Sequence, residues 1–216
     1  MSLEEEKRLA ADTAAGRILP GSRVGLGTGT TVAFLLEAIA RRDVRARFVA
    51  TSPETAEAAR ALGITVDAFD ELDELDVAID GVDQIAPDGW LVKGRGGAHL
   101  REKIVAASAR FFVVIADSSK PVPTLHAPIP LELRPFGLRA TLRELGAVTL
   151  RDTGPSPDGG VLADYHGDVT SPRELAERLA STPGVSAHGL FAPDLVSEII
   201  VATAKTVTIT TPGGPL

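Results

Sequence analysis

The chain has 216 residues, a net charge of −7 and no cysteine. That length is about 1.4 times the ~150-residue domain norm, enough for one large domain or two unequal ones and for a sizeable core without covalent staples. The missing cysteines exclude disulfides, thiolate catalysis and cysteine-ligated metals, and the acidic balance argues against a general nucleic-acid or anionic-membrane binder, since Lys and Arg hold those partners. A small phosphorylated ligand, which needs only a few local donors, stays open. The opening MSLEEEKRLAADTAAG is acidic and amphipathic without an apolar signal core, and no apolar run approaches the ~20 residues of a membrane span. A reducing cytoplasm is the expected location.

In the first half, short apolar runs alternate with helical patterns, as in βαβ units with a mostly parallel sheet. Residues 23–27 read as a strand, and Val32, Leu35, Leu36 and Ile39 then mark one face of a helix. Residues 46–50 read as a second strand. Ser52 suits an N-cap before Pro53, and Gly63 suits a helix stop. An extended stretch at 64–69, a buried strand at 75–79 and a strand at 90–93 follow. His99 to Arg110 is helical by pattern, with Leu100, Ile104 and Ala107 or Ser108 expected inward, and FFVVIA at 111–116 is the strongest strand.

Five prolines between 121 and 135 predict a linker. Beyond them come strand 131–133, helix 136–146, strands 147–151 and 160–166, helix 172–181 and strand 185–191, which spell β-α-β-β-α-β, a ferredoxin-like split βαβ unit. The β-branched tail at 196–211 is expected to return to the first sheet. The expected fold is α/β: a mostly parallel Rossmann-like sheet with helices on both faces, plus an inserted ferredoxin-like α+β domain. Domain boundaries are placed at 1–127 (completed by about 203–216) and 128–202.

Four polar clusters follow predicted strands. GLGTGTT at 25–31 fails the dinucleotide fingerprint, because Thr30 stands where the third glycine belongs, and it lacks the Gly-Lys pair of a Walker loop. Its free backbone N–H groups and threonine hydroxyls suit a phosphate or a sugar hydroxyl, or simply a capped strand-to-helix turn. Asp80-Gly81-Val82-Asp83 puts two carboxylates at a strand end, where parallel sheets bind ligands, although an Asp-rich turn would look the same. Lys93-Gly94-Arg95-Gly96-Gly97-Ala98 runs into the helix that holds Glu102. Glu102 lies two positions from Leu100 and is therefore expected outside the core; the helix dipole lowers its pKa, whereas burial against a ligand raises it. Asp117-Ser118-Ser119-Lys120 is the fourth cluster, and alone it reads as a solvated turn. Parallel topology brings four such strand ends together. The four histidines (99, 126, 166, 188) show no metal-ligand spacing and read as satisfied or exposed groups.

With these clusters in view the chain resembles the ribose-5-phosphate isomerase A family, essentially end to end: GLGTGTTV, TSPETAEAARALGI, AIDGVDQ, LVKGRGGAHLREKIVA, VVIADSSK, PIPLEL and GLFA. The resemblance implies an aldose–ketose isomerase of the pentose phosphate pathway, interconverting ribose 5-phosphate and ribulose 5-phosphate through an enediolate with no metal or cofactor. It implies substrate contacts at Thr28, Gly29, Thr30 and Thr31, at Asp80, Gly81, Val82 and Asp83, at Lys93, Gly94, Arg95 and Gly96, and at Lys120. Glu102 takes the family's proton-acceptor role, with Lys93, Asp80 and Asp83 as its catalytic companions; Lys7 matches a lysine that reaches the phosphate. The implied partners are a pentose phosphate and further copies of the chain, as homodimer or homotetramer, with no nucleic acid and no membrane. Gln84, Arg95 and the 153–159 loop depart from the family pattern. A non-catalytic sugar-phosphate sensor of similar fold would bind ligand without exchanging solvent protons. An amino-sugar phosphate deaminase would favour a catalytic histidine, and none lies in the four clusters; a CoA transferase is the third alternative.

Overall fold

The computed structural model describes residues 2–72 and 74–214. Its centre is a six-stranded sheet of β1 (Arg23–Leu26), β2 (Arg47–Ala50), β3 (Val77–Gly81), β6 (Phe112–Asp117), β12 (Glu198–Ala202) and β13 (Val207–Thr210), in the order β13-β12-β6-β3-β1-β2. All pairs are parallel except β12 with β13. Every residue of β3 and β6 is buried, which is why both read as continuous apolar runs rather than alternating ones.

Helices α1 (Leu3–Ala15) and α2 (Thr30–Arg42) cover one face. A capping box starts α1, with Ser2 Oγ accepting from the Glu5 N–H and the Glu5 carboxylate accepting from the Ser2 N–H. Its buried face is alanine (Ala10, Ala11, Ala14, Ala15), and these small side chains let the helix lie close against Leu35, Leu36 and Ile39. Helix α3 (Pro53–Ala61) opens with the Ser52 cap, whose Oγ accepts from the Thr55 N–H. On the other face lies α4 (His99–Ala107), packed through Val105 and Ala106 onto Ala78, Leu75 and Phe191.

The second unit is a four-stranded antiparallel sheet of β7 (Ile129–Leu133), β8 (Val148–Leu150), β9 (Val161–Tyr165) and β10 (Val185–His188), in the order β10-β7-β9-β8. Helices α5 (Leu138–Leu145) and α6 (Pro172–Ser181) complete it, packing Leu145, Leu175 and Leu179 with Leu131 and Ala163. First and third strands are neighbours and the first and second are separated, the split βαβ order expected from the sequence. Residues 198–202, placed with this unit by the 128–202 boundary, instead form β12 beside β6, so the chain re-enters the large sheet before residue 203. Residues 215 and 216 lie outside the described residues.

Two features depart from expectation. Beyond the large sheet, β4 (Gln84–Ile85), β5 (Leu91–Val92) and β11 (Leu190–Phe191) form a third sheet, β11-β5-β4, whose two-residue strands are too short for a periodic signal. Helix α4 is also turned relative to its apolar pattern: Ile104 is 46% exposed and Leu100 half-buried, while His99, Glu102, Val105 and Ala106 face inward. No described helix is long and apolar enough to cross a membrane.

Ile115 is fully buried in the middle of β6. Ile115→Ala should lower unfolding free energy by about 2–5 kcal/mol, the range for deleting a large buried aliphatic group. Urea denaturation should show a lower midpoint with an unchanged slope; a shift equivalent to under about 1 kcal/mol would mean that the sheet centre repacks freely.

Candidate functional site

Strands β1, β3 and β6 end side by side, and β5 and the start of α4 close over the same end. This gathers the four polar clusters. Thr28, Gly29, Thr30 and Thr31 from the first, Gly81, Val82 and Asp83 from the second, Lys93, Gly94, Arg95, Gly96 and Glu102 from the third, and Lys120 from the fourth line one cavity of about 360 Å³; Lys7 joins them from α1. A larger cavity of about 700 Å³ opens between α3, α4 and β7 but includes no residue of these loops.

The floor is a buried ion cluster. Lys93 Nζ lies 2.8 Å from Asp80 Oδ2 and 3.2 Å from Glu102 Oε2, and it donates to the Gly81 carbonyl at 2.6 Å. All three side chains are 4% exposed or less. Asp80 does not line the cavity: it sits behind Lys93, where its Oδ1 accepts from the backbone N–H groups of Thr28 (3.1 Å) and Gly81 (2.7 Å). Gly27 makes room for it, because a Cβ there would stand 1.9 Å from the Asp80 carboxyl. Glu102 is less well held. Its Oε2 is buried and, although 3.2 Å from Lys93 Nζ, accepts no aligned hydrogen bond; the aligned side-chain hydrogen bond of Lys93 goes to the Gly81 carbonyl. The expectation that Glu102 lies outside the core is corrected: the helix turns its polar residues inward because Lys93 is there to meet them.

Two carboxylates share one ammonium, so the cluster carries excess negative charge in a desolvated place. Burial pushes the Glu102 pKa up to about 7; Lys93 pulls it back and Asp80 adds to the rise. Burial raises Asp80 as well, against Lys93 and its two backbone donors. For Lys93, burial works against the ammonium, but Asp80 and Glu102 outweigh it and hold the pKa above the usual lysine range. Lys93 is therefore a fixed cation, and Glu102 is the group poised to exchange a proton.

The other end of the cavity is cationic and rich in donors. Helix α2 starts at Gly29 with no side-chain cap, which leaves its first N–H groups free at the positive end of the helix. Lys7 donates to Thr30 Oγ1 at 3.1 Å, and Lys120 lines the same end. The loop is braced from behind by Thr28 Oγ1, 2.8 Å from Thr51 Oγ1. Glu6, buried on α1, accepts from the Ser118 N–H (3.0 Å) and hydroxyl (2.6 Å), and these bonds hold its pKa below the usual carboxylate range. Sequence reading missed Thr51 and Glu6, whose partners lie 23 and 112 residues away.

Among the departures, Gln84 lines a neighbouring cavity, not this one, and ties the chain to His126, accepting from its N–H at 2.9 Å and donating to its carbonyl at 2.8 Å. Arg95 projects at the rim with its side chain 87% exposed, while its backbone N–H reaches Asp83 at 3.1 Å. The 153–159 loop folds onto Glu132 and Arg101 through Ser156 and Asp158, away from the ion cluster. Arg151 joins the second unit to the glycine loop, donating to the carbonyls of Gly94 (3.1 Å) and Arg95 (3.0 Å) while paired with Asp164.

The family model for ribose 5-phosphate isomerase A (phosphoriboisomerase A) matches residues 47–206. A curated ribose-5-phosphate isomerase A from Bartonella quintana is 39% identical over 223 residues, covering 94% of this chain and 95% of its own. The one from Roseiflexus castenholzii is 43% identical over 202 residues, with 86% of each covered. Among solved structures, ribose 5 phosphate isomerase A from Neisseria gonorrhoeae matches with a TM-score of 0.93 at 32% identity, over 98% of both chains. A D-ribose-5-phosphate isomerase in complex with phospho-erythronic acid matches with a TM-score of 0.91 at 31% identity, over 98% of this chain and 100% of its own.

The strained carboxyl has a thermodynamic signature. Because Glu102 is raised from 4.5 to about 7, the folded state binds more protons than the unfolded chain across that window, and stability contributed by the neutral acid is lost as pH rises through it. Glu102→Gln should therefore be more stable than the parent at pH 8, by on the order of 3 kcal/mol, with the gap closing toward pH 4.5. Denaturation at the two pH values measures this; a variant less stable at pH 8 would show that Glu102 sits comfortably as an anion.

Proposed function

The chain belongs to the ribose 5-phosphate isomerase A family, and we propose that it interconverts ribose 5-phosphate and ribulose 5-phosphate by proton transfers through Glu102, whose acid proton exchanges with solvent between them. The observation that carries this reading is the buried Lys93–Glu102 contact at 3.2 Å on the wall of a cavity whose far end suits an anion.

The chemistry follows from charge. Once the sugar is open, Glu102 as a carboxylate takes the C2 proton, the O2 hydroxyl proton passes to O1 in the enediolate, and Glu102 delivers a proton to C1, leaving the ketone at C2. When it takes the C2 proton, its negative charge passes to the enediolate oxygens, and the net charge of the pocket does not change. Lys93 faces the charge in both states, so little reorganisation is required as the transition state forms, which is the basis of electrostatic preorganisation. A pKa near 7 makes Glu102 effective in both directions, as a base for one carbon and an acid for the other. Asp80 holds Lys93 in place from behind, and Asp83, half-buried on the wall, is the acceptor for sugar hydroxyls and for ring opening.

The phosphate belongs at the start of α2, among Thr28 to Thr31, Lys120 and Lys7, where free backbone N–H groups and two ammonium groups converge. Gly81, Val82, Gly94, Arg95 and Gly96 complete the wall around the sugar. A cytoplasmic location and self-association as homodimer or homotetramer belong to the same reading and rest on the family resemblance.

Glu102→Gln should lose about 10²–10⁴-fold in turnover while binding phospho-erythronic acid as the parent does. Turnover within a few-fold of the parent would remove Glu102 from the mechanism. In deuterated water the parent should place deuterium on the reacting carbon as ketose forms, read by proton NMR. Ketose formed over many turnovers with no solvent deuterium would favour direct hydride transfer and sink the proton-transfer reading.

A further inference from the structure

The helix that carries Glu102 also carries a half-buried cation that the proposed chemistry leaves unused. Lys103 directs its ammonium onto the carbonyls of His188 (2.8 Å) and Leu190 (2.9 Å), 3.3 Å from His188 Nδ1. Burial pulls its pKa down to about 7, and among the described residues no carboxylate offsets the cost. The titratable groups around it are His99 on its own helix and His188 on β10, both held neutral by burial with pKa values of about 3, with Lys93 and Arg151 as the nearby cations. An ammonium kept in such company needs a reason other than an ion pair.

The segment it grips supplies one. Residues 188–191 lead from β10 into β11, and β11 pairs with β5, the strand that runs into Lys93; the Lys93 N–H donates to the Gly189 carbonyl at 2.8 Å. Both lysines lie over the Phe191 ring, Lys93 Nζ at 5.4 Å and Lys103 Nζ at 4.9 Å from its centroid. Lys103 thus ties α4 to the segment that positions Lys93. Adjacent helical residues project about 100° apart, so fixing Lys103 also fixes the rotation of α4 about its axis and where Glu102 points. We propose that Lys103 is a positioning residue: it sets the contact between Glu102 and Lys93 by anchoring the helix of one to the strand partner of the other. The proposal rests on Glu102 acting as the base.

Lys103→Met keeps the apolar stem and removes the donors. It should lower kcat about 10–100-fold, the scale for a displacement near 1 Å at a reacting group, and leave KM and the affinity for phospho-erythronic acid within about threefold. As Glu102 drifts from Lys93 it loses a favourable cation, so its pKa rises and the acid limb of the kcat/KM profile moves to higher pH. A lowered melting temperature with kcat within threefold and the acid limb unmoved would reduce Lys103 to a structural clamp and overturn the proposal. If the Met variant does not fold, Lys103→Gln, which keeps one amide donor for a carbonyl, is read by the same criteria. Glu102→Gln, assayed alongside, separates the two claims. An active Glu102→Gln sinks the base assignment; an inactive one beside a fully active Lys103→Met sinks only the positioning role.

Discussion

One ammonium shared by two buried carboxylates governs this molecule. Lys93, Asp80 and Glu102 are each almost wholly removed from water, and a lone charge there would be driven to neutralise. The cluster resolves this unevenly. Asp80 receives two backbone N–H groups as well as Lys93, whereas Glu102 receives only a close approach. The asymmetry makes one acid a structural counter-ion and leaves the other able to accept and release a proton. Much of the surrounding architecture supports that difference: Gly27 has no side chain to displace Asp80, the Gly81 carbonyl takes one proton of Lys93, and Phe191 covers the ammonium from the side.

The two larger sheets contribute differently. The parallel sheet supplies the strand ends, and with them the anion-binding loop before α2 and the Asp80–Asp83 turn. The antiparallel unit contributes no residue to the cavity wall, yet Arg151 holds the carbonyls of Gly94 and Arg95, and the 188–191 segment holds both β5 and Lys103. It works as a brace on the loop and helix that carry the chemistry.

Much of this was legible in the sequence. Apolar runs such as FFVVIA mark strands buried on both faces, and the glycines and acids after them mark the site, because only strand ends put polar groups beside a core. The β-α-β-β-α-β order of the second unit follows from the same patterning. What failed was any inference from apolar residues alone about which way α4 faces. Leu100 and Ile104 look like its core face, but the helix is oriented by the ion cluster, and Lys93 lies on a different element whose approach no local pattern encodes. The β4–β5–β11 sheet was illegible because two residues carry no period. Gln84, a departure from the family pattern directly after the Asp80–Asp83 turn, braces the His126 loop, and the partner of Lys103 lies 85 residues further along the chain.

The first turns of α1 reach both loops at the anion end: Glu6 grips Ser118, two residues before Lys120, and Lys7 meets Thr30. A segment that packs like an outer layer is thereby wired to ligand capture. Fraying it, by a bulky fusion or a helix-breaking substitution near residue 5, would loosen two walls of the pocket together while the proton-transfer apparatus stayed intact. The cost would surface as weaker retention of substrate at unchanged chemistry, and a peripheral helix would then behave as an affinity dial.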